Sequence, residues 1–409
     1  MMICRHCGTP LSHTFLDLGF APPSNAYLKA DDLAHPEKYF PLKIRVCDLC
    51  WLVQTEDYAQ ADELFNNEYA YFSSTSSGWL LHSELYAKVM ISRLGLTQKS
   101  LVIEVASNDG YLLKNFIAAD IPCIGIEPTA STAAAAEKLG IPVVREFFGE
   151  TLGKRLAEQE NKADLIIGNN VYAHVPDIND FTRGMKAALK SGGIITLEFP
   201  HLMQLIKKSQ FDTVYHEHFS YFSLRTVITI FKAANLRVFD VSELSTHGGS
   251  LRVFGCHADD SRVTTPAVDT MLLRETECGL TSIDTYCGFQ MQANQVKDNL
   301  LSFLIEQKRA GKKVGAYGAA AKGNTLLNYA GIKSDLLSFV CDAAPSKQGK
   351  FMPGSHIPIL SPLAIHKQRP DYVLILPWNI ADEVIQANSF IREWGGKFVT
   401  SIPILQIIA

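Results

Sequence analysis

The sequence has no run of about 18 uninterrupted apolar residues, so no transmembrane helix is expected. It has no excess of one charge: 38 basic residues face 42 acidic ones, net −4. A chain so balanced is not built to coat nucleic acid through bulk charge. Its opening stretch, MMICRHCGTP, lacks the basic-then-apolar layout of a secretory leader. There is no low-complexity segment and no internal repeat in register. What is present is a 409-residue chain, 47% hydrophobic, with nine cysteines. That is material for two to four domains with sizeable cores. With no leader, the cysteines are expected to be reduced or metal-bound and the protein cytoplasmic.

The chain divides by pattern. Residues 1 to about 66 read as short and irregular, with turns at Gly8-Thr9-Pro10 and Pro22-Pro23. From Ser77 apolar positions recur every three or four residues, which predicts a helix. Between 101 and about 200 strand-like runs (LVIEV, IPCIGIE, IPVV, ADLIIGNN, GGIITLEF) alternate with helix-like ones (YLLKNFIAA, TAAAAEKL, TLGKRLAEQ, FTRGMKAALK). Such alternation predicts a parallel sheet covered on both faces, an α/β fold. After the block YHEHFSYFS come a helix, the strands LRVFDVSEL and LRVFGCH, and helical sequence to about 310. A second α/β unit starts at 313 (KVGAYGAAAKG, LLSFVCD, IPIL, YVLILPW, KFVTSI).

Cys4-x-x-Cys7 and Cys47-x-x-Cys50, separated by a 39-residue insert, supply four thiolates for one tetrahedral metal. A structural zinc is the expectation. The plainer alternative is two pairs of reduced thiols; a redox role is disfavoured because neither pair sits in a thioredoxin-like βαβ context.

In VIEVASNDGYLL, residues 102–113, a strand ends near Glu104 and a helix is expected to begin near Gly110. A ligand there would sit over the strand's C-terminal end. Dinucleotide sites use G-x-G-x-x-G to bring backbone against pyrophosphate. This turn has one glycine among small and polar neighbours. It suits a ligand without phosphate but with amino-acid and ribose groups, which S-adenosylmethionine offers. Glu127, closing the next strand, can accept ribose hydroxyls, and Asn169 and Asn170 end the fourth strand. The expected cofactor set is Glu104, Ala106, Asn108, Asp109, Gly110, Glu127, Asn169 and Asn170. Ala106 stands where methyltransferases usually have glycine, tolerable if its backbone is in an ordinary region. The alternative is an α/β domain with merely polar strand ends.

Tyr215-His216-Glu217-His218 is the densest titratable cluster. A histidine beside a glutamate can act as a general base. The i, i+2 spacing differs from the i, i+4 of helical zinc sites, and in an extended segment would put His216 and His218 on one face. A hydrogen-bonded pair of surface histidines is the plainer alternative. His174, just after the asparagines, is expected to face the same cleft. THGGSLR, 246–252, offers two glycines for close approach to a ligand and Arg252 for a diphosphate, or else a tight turn with a surface arginine. In GAYGAAAKGNT, 315–325, Gly315, Gly318 and Gly323 are spaced more loosely than in a NAD fingerprint. Lys322 could meet a phosphate, and Asp342 ends the following strand as a ribose-binding acid would.

Taken in order, the cysteine pairs, EVASNDGYLL, NNVYAHV, YHEHFSYFS, THGGSLRVF and GAYGAAAKGNTLLNY resemble the sugar C-methyltransferases that act on nucleotide-linked sugars. The resemblance covers nearly the full chain. It implies a zinc-binding domain (1–66), a class I S-adenosylmethionine-dependent methyltransferase domain with a Rossmann-like sheet (67–295) and a C-terminal Rossmann-like domain that helps bind the nucleotide-sugar (296–409). It implies methylation of carbon 3 of a 4-keto-deoxysugar on a nucleoside diphosphate, commonly dTDP. His218 would be the base, with Tyr69, His174, Tyr215 and Glu217 lining the reaction centre. Ser250, Arg252, Gly318, Lys322, Asn324 and Asp342 would hold the acceptor. Neither nucleic acid nor membrane is expected as partner, and the chain would be a monomer or weak oligomer. Two rival expectations are a NAD(P)-dependent sugar-nucleotide oxidoreductase built on the last unit and a zinc-ribbon binding module.

Overall fold

The computed structural model describes residues 2–56, 72–75 and 77–409, and Tyr69 lies outside them. Among the described residues the strands form three sheets. The first is built by β1 (His13–Ala21), β2 (Phe40–Val46) and β3 (Val53–Thr55). The irregular N-terminus expected from sequence is therefore corrected. Along β2, Leu42, Ile44 and Val46 point inward and Lys43 and Arg45 outward, the period-2 signature of a half-buried strand.

The second sheet contains β4 (Val102–Val105), β5 (Cys123–Ile126), β6 (Val143–Val144), β7 (Ala163–Asn169), β8 (Leu189–Pro200), β10 (Leu236–Leu244) and β11 (Ser250–His257). Its spatial order is β10-β11-β8-β7-β4-β5-β6. The pairs from β8 to β6 are parallel, and the β10–β11 hairpin joins β8 antiparallel. Every residue of β4 is buried, as a strand covered on both faces requires. Because β5 flanks β4 on one side and β7 on the other, the strand order reverses there. The crevice at that reversal is where open α/β sheets bind ligands.

The turn after β4 runs longer than expected. Ala106, Asn108 and Gly110 are all left-handed (φ 57, 50 and 79), so the helix read across YLLKNFIAA is confined to Lys114–Ile117.

The third sheet is β14-β13-β12-β15-β16-β17, built from β12 (Val314–Tyr317), β13 (Val340–Cys341), β14 (Ile359–Leu360), β15 (Tyr372–Ile375), β16 (Lys397–Thr400) and β17 (Gln406–Ile408). Helix Phe289–Arg309 leads into it and runs through position 295/296. The N-terminal unit leans on this helix and on the short helix Ile283–Cys287 before it: Phe15 stacks on Phe289 (4.7 Å between centroids) and Trp51 on Tyr286 (5.6 Å).

One short strand ties the units together. β9, only Ser220–Tyr221, pairs antiparallel with β3 and so becomes the fourth strand of the first sheet.

Candidate active site and zinc centre

The four paired cysteines converge as their spacing predicts. All four Sγ atoms lie within 4.8 Å of one another. Cys4 and Cys50 are 3.5 Å apart, as are Cys7 and Cys47, close to the about 3.8 Å edge of a tetrahedron with zinc–sulfur bonds of about 2.3 Å. Each Cys-x-x-Cys turn is followed by a left-handed residue, Gly8 (φ 74) or Trp51 (φ 62), which curls the chain back. Gln54 Nε2 donates to Cys4 Sγ at 3.3 Å. All four protein positions are filled by sulfur, so the site fits a closed, structural zinc.

The eight residues expected to hold the methyl donor gather at the ends of β4, β5 and β7. Among the described residues several of their buried polar atoms meet no partner: Glu104 Oε2, Asp109 Oδ1, both amide atoms of Asn169, Asn170 Oδ1 and the neighbouring Ser107 Oγ. Buried polar groups are normally hydrogen-bonded, so this concentration marks a ligand's place. Burial raises the Glu104 carboxyl well above its ordinary range, and Tyr111 donates to it. Glu127 accepts from Asn108 N (3.0 Å) and Thr129 N (2.9 Å), bracing the turn. Asp109 Oδ2 and Asn108 Oδ1 accept from the backbone of Ser74 and Ser73. The set carries three carboxyl groups and no cationic side chain, which disfavours a pyrophosphate. Ala106 is not in an ordinary backbone region: its φ of 57 is left-handed.

The YHEH segment is a turn, not an extended strand, which corrects the shared-face expectation. His216 points to the first sheet, Nε2 3.3 Å from Phe40 O. His218 points the other way, Nδ1 donating to Thr213 O at 2.9 Å. Both are buried rather than on the surface. The His218 ring lies 4.0 Å from Tyr215 and 4.7 Å from His174, centroid to centroid, so three of the expected reaction-centre residues meet. Burial, then the neighbouring His174, pushes His218 well below the usual histidine range; burial brings His174 to about 4. Glu217 accepts from Asn25 Nδ2 at 2.7 Å.

The C-terminal unit closes on this segment from the far side. Trp378 Nε1 donates to the buried Asp212 (2.7 Å), and Thr325 Oγ1 to Val214 O (2.8 Å). Lys322 bonds Asn379 (3.0 Å) over the Trp378 ring, and its charge acts on His218, Asp212 and His247. Asn324 is buried and donates to Ser24 O. Asp342 accepts from Ala319 N and Ala344 N, both 2.8 Å, shaping the loop at Gly318 (φ 96). Arg252 is not a surface arginine: it pairs with buried Glu198 at 2.7 Å and lies over Tyr86. Ser250 donates to Thr246 O.

Several residues in this assembly escaped sequence reasoning. Asn25, Asp212, Thr213 and Trp378 are separated from His218 in sequence or look ordinary there. Trp79, on helix Ser77–Leu94, lies 6.1 Å from Tyr111 and 5.4 Å from His247. His247 stood inside a quoted motif but was passed over for its glycines.

Three family models match in series: a zinc binding domain over residues 4–65, a methyltransferase domain over 82–241 and a C-methyltransferase C-terminal domain over 245–403. The C-methyltransferase NovU of Streptomyces niveus is 35% identical over 406 residues, 99% of this chain and 96% of that protein. An uncharacterized methyltransferase of Mycobacterium leprae, ML2584, is 27% identical over 99 residues, 24% of this chain and 36% of that one. A solved glycopeptide N-methyltransferase, MtfA with S-adenosyl-L-methionine, aligns over 43% of this chain and 94% of its own at 12% identity and a TM-score of 0.34. The two expected cofactors, a methyl donor and zinc, thus each have a matching domain and a converged set of side chains. Full-length similarity at this level, with all three units in the same order, makes the chain a member of the C-methyltransferase family, an enzyme with a zinc-binding first unit.

Proposed function

We propose that this C-methyltransferase moves the methyl group of S-adenosylmethionine to carbon 3 of a 4-keto-deoxysugar carried on a nucleoside diphosphate. One observation carries the reading: His218 is oriented and neutral. Its Nδ1–H is committed to Thr213 O, which leaves Nε2 unprotonated, and burial keeps it so. Carbon methylation, unlike many oxygen or nitrogen methylations, needs a carbanion equivalent. A carbon next to a ketone is acidic enough for a histidine base.

In this reading His218 Nε2 takes the proton from carbon 3 and charge moves to the ketone oxygen. Tyr215 and neutral His174 adjoin the base and can donate to that oxygen. Glu217, fixed by Asn25, and Tyr69 complete the proposed centre. When bound, S-adenosylmethionine supplies an electrophilic methyl group. Glu104, Asp109, Glu127 and the two asparagines would hold it, aided by the backbone at Ala106, Asn108 and Gly110. Positioning is then most of the catalysis. For the acceptor's diphosphate and nucleoside we propose Lys322, Asn324, Gly318 and Asp342, with Ser250 shaping the facing turn. Lys322 is the better phosphate partner than Arg252, whose charge is already matched by Glu198.

The test is NMR in deuterated water with dTDP-4-keto-6-deoxyglucose and its 3-deoxy and 2,3-dideoxy relatives, with and without S-adenosylmethionine. Deuterium entering at carbon 3, and methyl transfer there when the donor is added, is the expected outcome. His218→Ala should lose both while donor binding stays near normal. Exchange that survives in that variant removes His218 as base. Exchange at another carbon moves the site of methylation. Silence with dTDP, GDP and CDP sugars alike overturns the substrate class.

A further inference from the structure

The turn Thr246–Gly248 links the two binding regions, and its middle residue has no role in the reading above. His247 is left-handed (φ 53), a conformation uncommon outside glycine and fixed by its surroundings. The surroundings here do. Gly248 O accepts from both Lys208 Nζ (2.9 Å) and Gln210 Nε2 (3.0 Å). A Cβ at Gly248 would stand 2.3 Å from Trp378, so the turn is clamped against the C-terminal unit. The imidazole is thereby held beside Trp79, with Nε2 3.4 Å from Asn170 Nδ2. An amide nitrogen can only donate, so Nε2 is the acceptor and the ring is the neutral Nδ1–H tautomer.

This contact places Asn170 Nδ2 toward His247. With Nδ2 on His247, the amide oxygen turns the other way, and that oxygen is buried without a partner at the end of β7. Asn170 itself is left-handed (φ 53), and its N–H is tied to Glu198 O at 2.7 Å, so its backbone cannot reorient freely. A carbonyl oxygen presented to a sulfonium meets methyl hydrogens made acidic by the adjacent positive sulfur, and C–H···O contacts to such groups are favourable.

We propose that His247 is a positioning residue of the methyl-donor site: it orients Asn170 so that the amide oxygen recognises the charged S-methyl group. The proposal rests on the donor-site reading above. It makes the site selective for the methylated sulfonium over the demethylated thioether.

The measurement is calorimetric binding of S-adenosylmethionine and S-adenosylhomocysteine to the full chain. His247→Phe keeps a ring and removes the acceptor. It should weaken S-adenosylmethionine about fivefold, the upper end of the effect of one C–H···O contact. S-adenosylhomocysteine should change less than about twofold. His247→Gln, whose amide oxygen can accept from Asn170, should recover most of the loss. Asn170→Gly, which suits the left-handed backbone and is independent of how His247→Phe folds, should show the same selective loss. The double variant should be no worse than Asn170→Gly alone. Equal weakening of both ligands, no weakening, or multiplying losses in the double variant would overturn the positioning role. Failure of the unmodified protein to bind either ligand would instead overturn the donor-site reading, and this proposal with it.

Discussion

At the scale of single residues, two positions in the turn after β4 make opposite demands. Ala106 carries a side chain where φ is 57, which costs an L-residue about 1 kcal/mol or more. Ala106→Gly should relieve that strain, partly offset by the greater freedom of glycine in the unfolded chain. A melting temperature higher by about 1–2 °C is expected in a thermal scan. Gly110 is the reverse case. Its φ is 79, and a Cβ would stand 2.5 Å from Ile141 Cδ1 and 3.2 Å from Ala136 Cβ. Gly110→Ala should lower stability by about 2 kcal/mol and weaken the donor, read by denaturant titration and calorimetry. Sequence could show that these positions lie after a strand, because apolar-run-then-turn is local. It could not show that Ala106 is left-handed, since alanine gives no sign of it. The orientation of His216 was also hidden: i, i+2 residues share a face only if the segment is extended, and a turn at 216–217 divides them.

At the scale of elements, the zinc unit supports the segment that carries the proposed base, His218. β9 follows His218 by one residue and is paired to β3, with Thr55 N also donating to Phe219 O. Thr226 Oγ1 donates to Cys50 O, fixing the next helix to a metal-ligand loop. Elemental analysis should find about one zinc per chain. Removal by a chelator should abolish methyl transfer while the donor still binds to the central sheet. Parallel loss of donor binding would show that the metal supports the whole fold rather than the catalytic segment. The cysteine spacing was legible because ligand pairs are local. The βα alternation was legible because buried parallel strands are continuously apolar, as VIEV is. A two-residue strand has no periodicity of its own, and β9 exists only through its partner.

At the scale of the molecule, burial of four histidines sets the pH response. His174 and His247 are held down to about 4, and His216 and His218 are lowered as well, in each case chiefly by burial. Unfolded histidines titrate near about 6.5. The unfolded chain therefore binds more protons below that pH. The contribution to stability is complete above about 6.5 and is lost as pH falls toward 4. Glu104 and Asp212, both raised by burial, act in the opposite sense, with two groups against four. Denaturant midpoints at pH 7.5, 5.5 and 4.5 should fall in that order. The junction of units makes a separate prediction. Trp378→Phe removes the donor to Asp212, one residue before the carbonyl that orients His218. A kcat about tenfold lower at saturating donor is expected from steady-state kinetics.

Residues 212–221 thus hang between abutments: Trp378 and Thr325 at one end, β3 at the other, Asn25 in the middle. Anyone splicing this enzyme with a relative inherits that arrangement. A cut that carries the central sheet alone would give a protein that holds a methyl donor and has nothing to do with it. A chimera that exchanges the last unit must also match Asp212 and Val214. One that exchanges the first must bring a β3 edge that accepts Ser220 and Tyr221.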